Sequence, residues 1–194
     1  LEKSEDSDQK KQTLAEIKTM RAWYYYLMMD AYGNVPLVTS FDTGNELPST
    51  TARPEVFNFI VAELEENLSL LSDEKSQATY GRPTKWFAHT LLAKTYLNAE
   101  VYTGTPNWDK VVAHTNAVIA SGKYALENDF LAQFKPDNGA ASTEPIFSIP
   151  FDPSRATGNS LFMKVLHYAS RQTFELSVNP WNGWSAQPAY FDLF

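Results

Sequence analysis

Apolar residues recur every three or four positions in four separate segments of this 194-residue chain, and this spacing limits the possible folds more than any other feature. It places the apolar side chains of each segment on one face of an α-helix. The first segment begins at Thr13 and stops at Gly33, which suits a left-handed helix cap. The second begins at Pro54, a residue favoured in a first helical turn. With two further segments, one from about Pro83 or Thr84 to Val101 and one that follows Asn107 and ends at Gly122, the spacing predicts an all-α fold.

The four predicted helices form two successive hairpins. Such pairs are typical of a tetratricopeptide-like solenoid, in which each hairpin buries its apolar face against its neighbour and the stack forms a superhelical scaffold. After Tyr124 the helical spacing is lost, and Gly, Pro, Asn and Ser become frequent. We therefore divide the chain into a polar lead-in (1–12), a helical scaffold (13–124) and a long, irregular, loop-rich segment (125–194). We expect that last segment to be the start of a ligand-binding region that continues beyond this chain.

The helical pattern also assigns individual side chains to the core or to solvent. Glu63, Glu65 and Glu66 lie off the apolar stripe of the second helix, so we expect all three to face water. Five aromatic residues stand at packing positions and are predicted to be core: Trp23, Tyr24, Trp86, Tyr96 and Trp108.

Charge and cysteine content exclude several classes of function. Lys and Arg total 16 and Asp and Glu total 23, which gives a formal charge of −7. An acidic chain without a basic cluster is a poor match for a phosphate backbone, so we expect no nucleic-acid partner. The chain has no Cys, which excludes disulfides and thiolate metal sites within it. It also has no apolar run of the roughly 18 residues that a transmembrane helix requires.

The sequence contains no recognisable catalytic motif. His89, His114 and His167 are far apart and lack the spacing of metal ligands. Glu63 and Glu66 belong to a charge run, which favours a solvated helix face over a glycosidase pair. The chain also lacks the glycine-rich and G-x-S-x-G patterns of nucleotide-binding and hydrolytic sites. We expect no enzyme activity, no cofactor and no metal site.

Residues 179–190 combine the groups that a sugar-binding face requires. A pyranose has an apolar C–H face and a rim of hydroxyls, so it suits a flat aromatic ring with amides or Arg at the edge. Trp181 and Trp184 flank an Asn182–Gly183 turn, which presents both rings from a tight bend. The alternative is that the two Trp side chains fill the edge of the helical core. The predicted ligand-binding residues are Trp181, Trp184, Asn182, Asn179, Tyr190, Tyr168 and Arg171.

Several short motifs follow one another in a specific order. RAWYYYL at 21–27 precedes YGNVPLV at 32–38. Further along the chain come RPEVF at 53–57 with EL at 63–64, GRPTK at 81–85, LLAKTYLN at 91–98, WDK at 108–110, SGKY at 121–124 and EPIFSI at 144–149. In sequence and order they resemble the motifs of SusD/RagB-type proteins, the outer-membrane glycan-capture lipoproteins of Bacteroidota.

The resemblance implies a tetratricopeptide-like scaffold with an irregular glycan-binding face. It implies export to the outer-membrane surface through a lipid anchor whose Cys and signal peptide are not in this chain. It further implies a SusC-like TonB-dependent transporter as partner. The resulting hypothesis is non-catalytic capture of oligo- or polysaccharide, by aromatic stacking and hydroxyl hydrogen bonds, and delivery to that transporter. The alternative is a helical-repeat scaffold that binds a protein partner or captures non-glycan cargo.

Overall fold

The computed structural model describes residues 7–40, 47–135, 138–151 and 154–193, which divide into two units at the 149/150 boundary. The predicted all-α fold is confirmed. The helices are α1 (Asp8–Tyr32), α2 (Arg53–Asn67), α3 (Lys85–Leu97), α4 (Ala99–Thr103), α5 (Trp108–Ala120), α6 (Leu161–Val165), α7 (Ser170–Thr173) and α8 (Pro188–Phe191). Single 3₁₀ turns lie at Leu68–Leu70, Gln77–Thr79 and Phe130–Phe134. Strands β1 (Val35–Pro36) and β2 (Thr50–Thr51) pair antiparallel, with Val35 opposite Thr51.

Helix α1 begins at Asp8 rather than at Thr13. The Oγ atom of Ser7 accepts a hydrogen bond from the backbone N–H of Lys10 at 3.1 Å, and Asp8 lies in the positively polarised first turn. Both features stabilise a helix N-terminus. Residues 8–12 are therefore helical and not the predicted lead-in, whose first six residues lie outside the described part of the chain.

The face of α1 that packs against α2 differs from the face that the spacing predicts. The three- and four-residue spacing of this segment predicts a buried stripe that includes Ile17, Tyr24 and Leu27, but these three residues are exposed. The buried face begins with small residues, which let helices approach closely, and ends with larger ones. Its members are Ala15, Thr19, Ala22, Tyr25, Tyr26 and Met29.

Glu63 is buried and paired, which corrects the prediction that it faces water. Its carboxylate accepts hydrogen bonds from Nη2 of Arg21 and, at 2.9 Å, from Nε of the same side chain. The Arg21 guanidinium also lies 5.6 Å from the ring centroid of Phe59. A carboxylate can be buried when a charged, bidentate partner replaces water. Glu65 and Glu66 are exposed, as predicted.

The predicted third helix is broken, because the backbone of Asn98 leaves the helical conformation between α3 and α4. Among the five predicted core aromatics, Trp86 and Tyr96 are buried and Trp23 is half-buried. Tyr24 and Trp108 are exposed, so the core prediction is wrong for these two residues. Trp108 is exposed because α5 packs against α3 along one side and has no fully buried residue.

Residues 125–149 belong to the first unit, although the sequence pattern places a boundary at 124/125. The ring of Phe147 lies 4.3 Å from that of Phe87 and 5.8 Å from that of Trp23, measured between centroids. The Lys75 ammonium donates to the carbonyls of Ser142 and Thr143 at 2.8 and 2.9 Å. These contacts hold an irregular segment against helical neighbours.

Candidate functional site

In the second unit, the turn at 181–184 is fixed to the C-terminal end of α6. The backbone N–H of Trp181 donates to the Met163 carbonyl at 2.7 Å. The N–H groups of Gly183 and Trp184 donate to the Lys164 carbonyl at 2.8 and 3.0 Å, and that of Asn182 donates to the Leu166 carbonyl at 3.1 Å. The last carbonyls of a helix lack hydrogen-bond partners within the helix, and the backbone N–H groups of the turn are those partners here. Four backbone hydrogen bonds therefore preorganise this turn.

The turn has the tight bend that the Asn-Gly pair predicts. Asn182 adopts a left-handed conformation with φ of 49°, which Asn tolerates better than most residues. On either side of the bend, the Trp181 and Trp184 side chains are 58% and 56% exposed. Neither side chain is buried in a core, so the bend presents the two rings at the surface of the second unit.

Lys164 lies against one of these rings. Its ammonium Nζ is 5.0 Å from the centroid of the Trp184 ring, a cation–π geometry. The Trp184 side chain is still more than half exposed, so the ammonium does not shield the ring from a ligand. Sequence reasoning missed Lys164 because it is 20 residues from Trp184 in the chain and only the backbone hydrogen bonds bring the two together.

The other predicted site residues are exposed, but they are less closely tied to the turn. Arg171 donates from Nε to the Leu176 carbonyl at 3.2 Å, so its guanidinium helps to close its own loop. The Tyr168 ring packs on His167, with centroids 4.1 Å apart. Among the described residues, no hydrogen bond or ring contact joins Tyr168 or Arg171 to either tryptophan. Asn179 and Tyr190 are also exposed, at the two ends of the predicted segment.

The first unit brings together two histidines that the sequence analysis treats as distant. His89 of α3 and His114 of α5 have Nδ1 atoms 2.9 Å apart. Their rings stack on Trp86 and Tyr96, respectively, and burial lowers the pKa of both imidazoles. In the part of the chain that the structure describes, no cluster of three or more His, Asp or Glu residues is placed to hold a metal ion.

A pocket of about 340 Å³ lies between α1, α3 and residues 144–147 of the first unit. This volume is in the range of small-molecule sites. Its wall is mainly apolar, with charged groups from Lys94 and Glu144. None of the predicted site residues lines it.

None of the described helices has the length and apolar character needed to span a membrane.

Comparisons with known proteins all point to the same family. A SusD-like family model described as "Starch-binding associating with outer membrane" matches residues 1–97, which is half of the chain. The chain is similar to the starch-binding protein SusD of Bacteroides thetaiotaomicron, with 35% identity over 124 residues. That match covers 64% of this chain and 22% of SusD, so the chain spans about a fifth of the length of this curated relative.

Solved structures show the same fold. A SusD superfamily protein from Bacteroides fragilis superposes with a TM-score of 0.77 at 19% identity, covering 99% of this chain and 43% of that protein. A laminarin-binding SusD-like protein superposes with a TM-score of 0.57 at 25% identity, covering 64% of this chain and 28% of that protein. The first comparison confirms the fold over nearly the whole chain.

Proposed function

We propose that this chain, which belongs to the SusD-like family of carbohydrate-binding proteins, captures an oligo- or polysaccharide on the tryptophans of its 181–184 turn. The observation that carries the proposal is that Trp181 and Trp184 are both more than half exposed on a turn fixed by four backbone hydrogen bonds. Large exposed aromatic rings on a rigid support are suited to stacking against sugar. A relative that binds starch and a neighbour that binds laminarin support a glycan as ligand.

Capture combines stacking with hydrogen bonds. The apolar face of a pyranose packs on the exposed ring of Trp184 or of Trp181, and the amides of Asn179 and Asn182 donate to and accept from its hydroxyls. Because the turn is held in place before the ligand arrives, little conformational entropy is lost on binding. Tyr168, Arg171 and Tyr190 extend the contact along a longer chain.

The sugar is bound without chemical change, because SusD-like proteins are non-catalytic carbohydrate-binding proteins. The position of Glu63 agrees with this function. Glu63, one member of the Glu63–Glu66 pair compared above with a glycosidase pair, is held by Arg21 in the helical core. An acid or base in that position has no access to a substrate.

The family's association with the outer membrane supports the outer membrane as the location of glycan capture. The full-length protein acts at the cell surface, anchored by a lipid, and passes the captured oligosaccharide to a SusC-like TonB-dependent transporter.

A second candidate function, a scaffold for a protein partner, rests on the outer face of α5. Trp108, Val112 and Ile119 are all exposed there and share one side of the helix. Exposed apolar residues in such a row are a feature of protein-binding surfaces. This face is in the first unit, so variants distinguish it from the proposed glycan site.

Affinity electrophoresis against amylopectin, laminarin, polygalacturonate and dextran sulfate tests the proposal. Trp181→Ala and Trp184→Ala should each lower the affinity for a retarding polysaccharide about tenfold or more, because each removes a stacking platform. Trp108→Ala is the matched control, since Trp108 is 51% exposed but lies on α5. It should bind like the wild type.

Two outcomes contradict the proposal. If all three variants are retarded as strongly as the wild type, the turn is not the site, and the pocket between α1 and α3 becomes the next candidate. If no polysaccharide retards the wild-type protein, capture of glycan is wrong and the α5 scaffold becomes the leading function.

A further inference from the structure

Lys164 has a positive charge that the described residues leave uncompensated. Its ammonium lies on the Trp184 ring, and no carboxylate of the described chain forms an ion pair with it. Other lysines of the described residues are ion-paired, as in the Lys110–Glu65 and Lys135–Asp129 pairs. A cation–π contact stabilises an ammonium less than an ion pair with a carboxylate does. An anion brought to this ring therefore gains a charged partner.

The ammonium is also confined to the site. The Lys164 carbonyl accepts hydrogen bonds from the backbone of both Gly183 and Trp184, so the lysine and the platform are parts of one hydrogen-bonded turn. The Lys164 side chain is half-buried rather than free to sweep through solvent. Its charge therefore stays beside any ligand that stacks on Trp184.

The net negative charge of the chain does not come from the segment that holds the turn. Residues 150–194 contain three basic residues and three acidic residues, so their formal charge is zero. The remaining 13 of the 16 Lys and Arg residues and 20 of the 23 Asp and Glu residues lie in residues 1–149, which therefore hold the whole charge of −7. The turn therefore belongs to a part of the chain whose own formal charges cancel.

We propose that the glycan bound at this turn is anionic, with a carboxylate or sulfate substituent that pairs with Lys164 while a sugar ring stacks on an exposed tryptophan of the turn. This inference rests on the proposed function of the turn. The acidic group of a neighbouring sugar residue meets the ammonium at the edge of the indole and forms a charge-assisted hydrogen bond. A neutral glycan stacks on the turn but leaves the ammonium on the ring, so Lys164 sets the preference between the two classes.

Matched pairs of polysaccharides isolate the charge. Polygalacturonate and its methyl-esterified form share a backbone and differ in carboxylate charge, and dextran sulfate and dextran differ in sulfate. Titration calorimetry of the whole chain at low salt should show about five- to tenfold tighter binding of the charged member of at least one pair. The pair that shows the preference identifies the acidic group.

Variants then assign the preference to Lys164. Lys164→Met keeps an aliphatic stem against Trp184 and removes the charge, so it should abolish the preference by weakening binding of the charged member more than that of the neutral member. Lys164→Arg should retain the preference. Lys123→Met is the control, because Lys123 is an exposed lysine of the first unit and its loss changes the net charge equally.

The possible outcomes distinguish the anionic-ligand inference from the proposed capture of glycan at the turn. Equal affinity for charged and neutral members, or a preference that persists in Lys164→Met, contradicts the claim that Lys164 selects an anionic glycan. In that case the loss of binding in Trp184→Ala still upholds glycan capture at the turn. If the wild-type protein binds neither member of either pair nor any polysaccharide of the panel, both proposals are wrong.

Discussion

Glu63 illustrates how far the role of a single residue depends on a distant partner. In sequence it is one of several acidic residues on a charged helix, and the pattern places it in water. In the structure its side chain is buried beside Leu64 on the packed face of α2, where Arg21 of α1 neutralises it. The partner is 42 residues away, so neither helical spacing nor local charge identifies the pair.

We predict that Arg21→Met destabilises the first unit by about 3 kcal/mol, because it leaves a buried carboxylate without its partner. Urea unfolding measured by circular dichroism gives this value. Lys135→Met is the matched control, since the Lys135–Asp129 pair is exposed on both sides and should contribute about 1 kcal/mol or less. Equal losses for the two variants would show that the Arg21–Glu63 pair is no more important than a surface ion pair.

Among the secondary-structure elements, the helices themselves are predictable but their rotation is not. Periodicity, Pro54 and Gly33 identify α1, α2, α3 and α5 to within a few residues at most ends. For α1, however, the more apolar stripe with Ile17 and Tyr24 is exposed, and a face with Ala15 and Ala22 is buried. Close approach of two helices selects small side chains, and hydrophobicity alone does not reveal that selection.

The pairing of α3 with α5 produces the His89–His114 contact, which makes stability depend on pH. Burial lowers the pKa of both imidazoles in the folded state, so the unfolded chain binds protons more readily. Of the facing charges, Lys85 and Lys110 reinforce this shift and Glu65 opposes it. The stabilisation is complete above the ordinary histidine pKa of about 6.5 and is lost as the pH falls through the lower folded values.

We therefore predict that the melting temperature falls between pH 7.5 and 5.5, and that His114→Gln reduces this fall because it removes one of the two coupled imidazoles. Thermal unfolding followed at 222 nm measures both slopes. His167→Gln, at an exposed position of the second unit, serves as the control and should keep the wild-type slope. An unchanged slope in His114→Gln would rule out the pair as the source of the pH dependence.

At the scale of the whole chain, the order of the motifs identifies the family, and the family model and the solved structures agree with it. The boundary between the two units is harder to predict, because residues 125–149 lack periodicity yet pack onto the helices through Phe147. Only part of the candidate site can be predicted from the sequence. The Asn182–Gly183 turn and its two tryptophans are adjacent, whereas Lys164 reaches the site through backbone hydrogen bonds formed only in the fold.

Oxidative footprinting of tryptophan tests the central claim most directly. Limited N-bromosuccinimide treatment, read by peptide mass spectrometry with and without a polysaccharide that the chain binds, compares three exposed tryptophans in one molecule. Bound glycan should slow the oxidation of Trp181 and Trp184 several-fold, because a stacked sugar covers the indole, and should leave Trp108 of α5 unprotected. Protection of Trp108 instead, or equal oxidation of all three in both samples, would contradict glycan capture at the 181–184 turn.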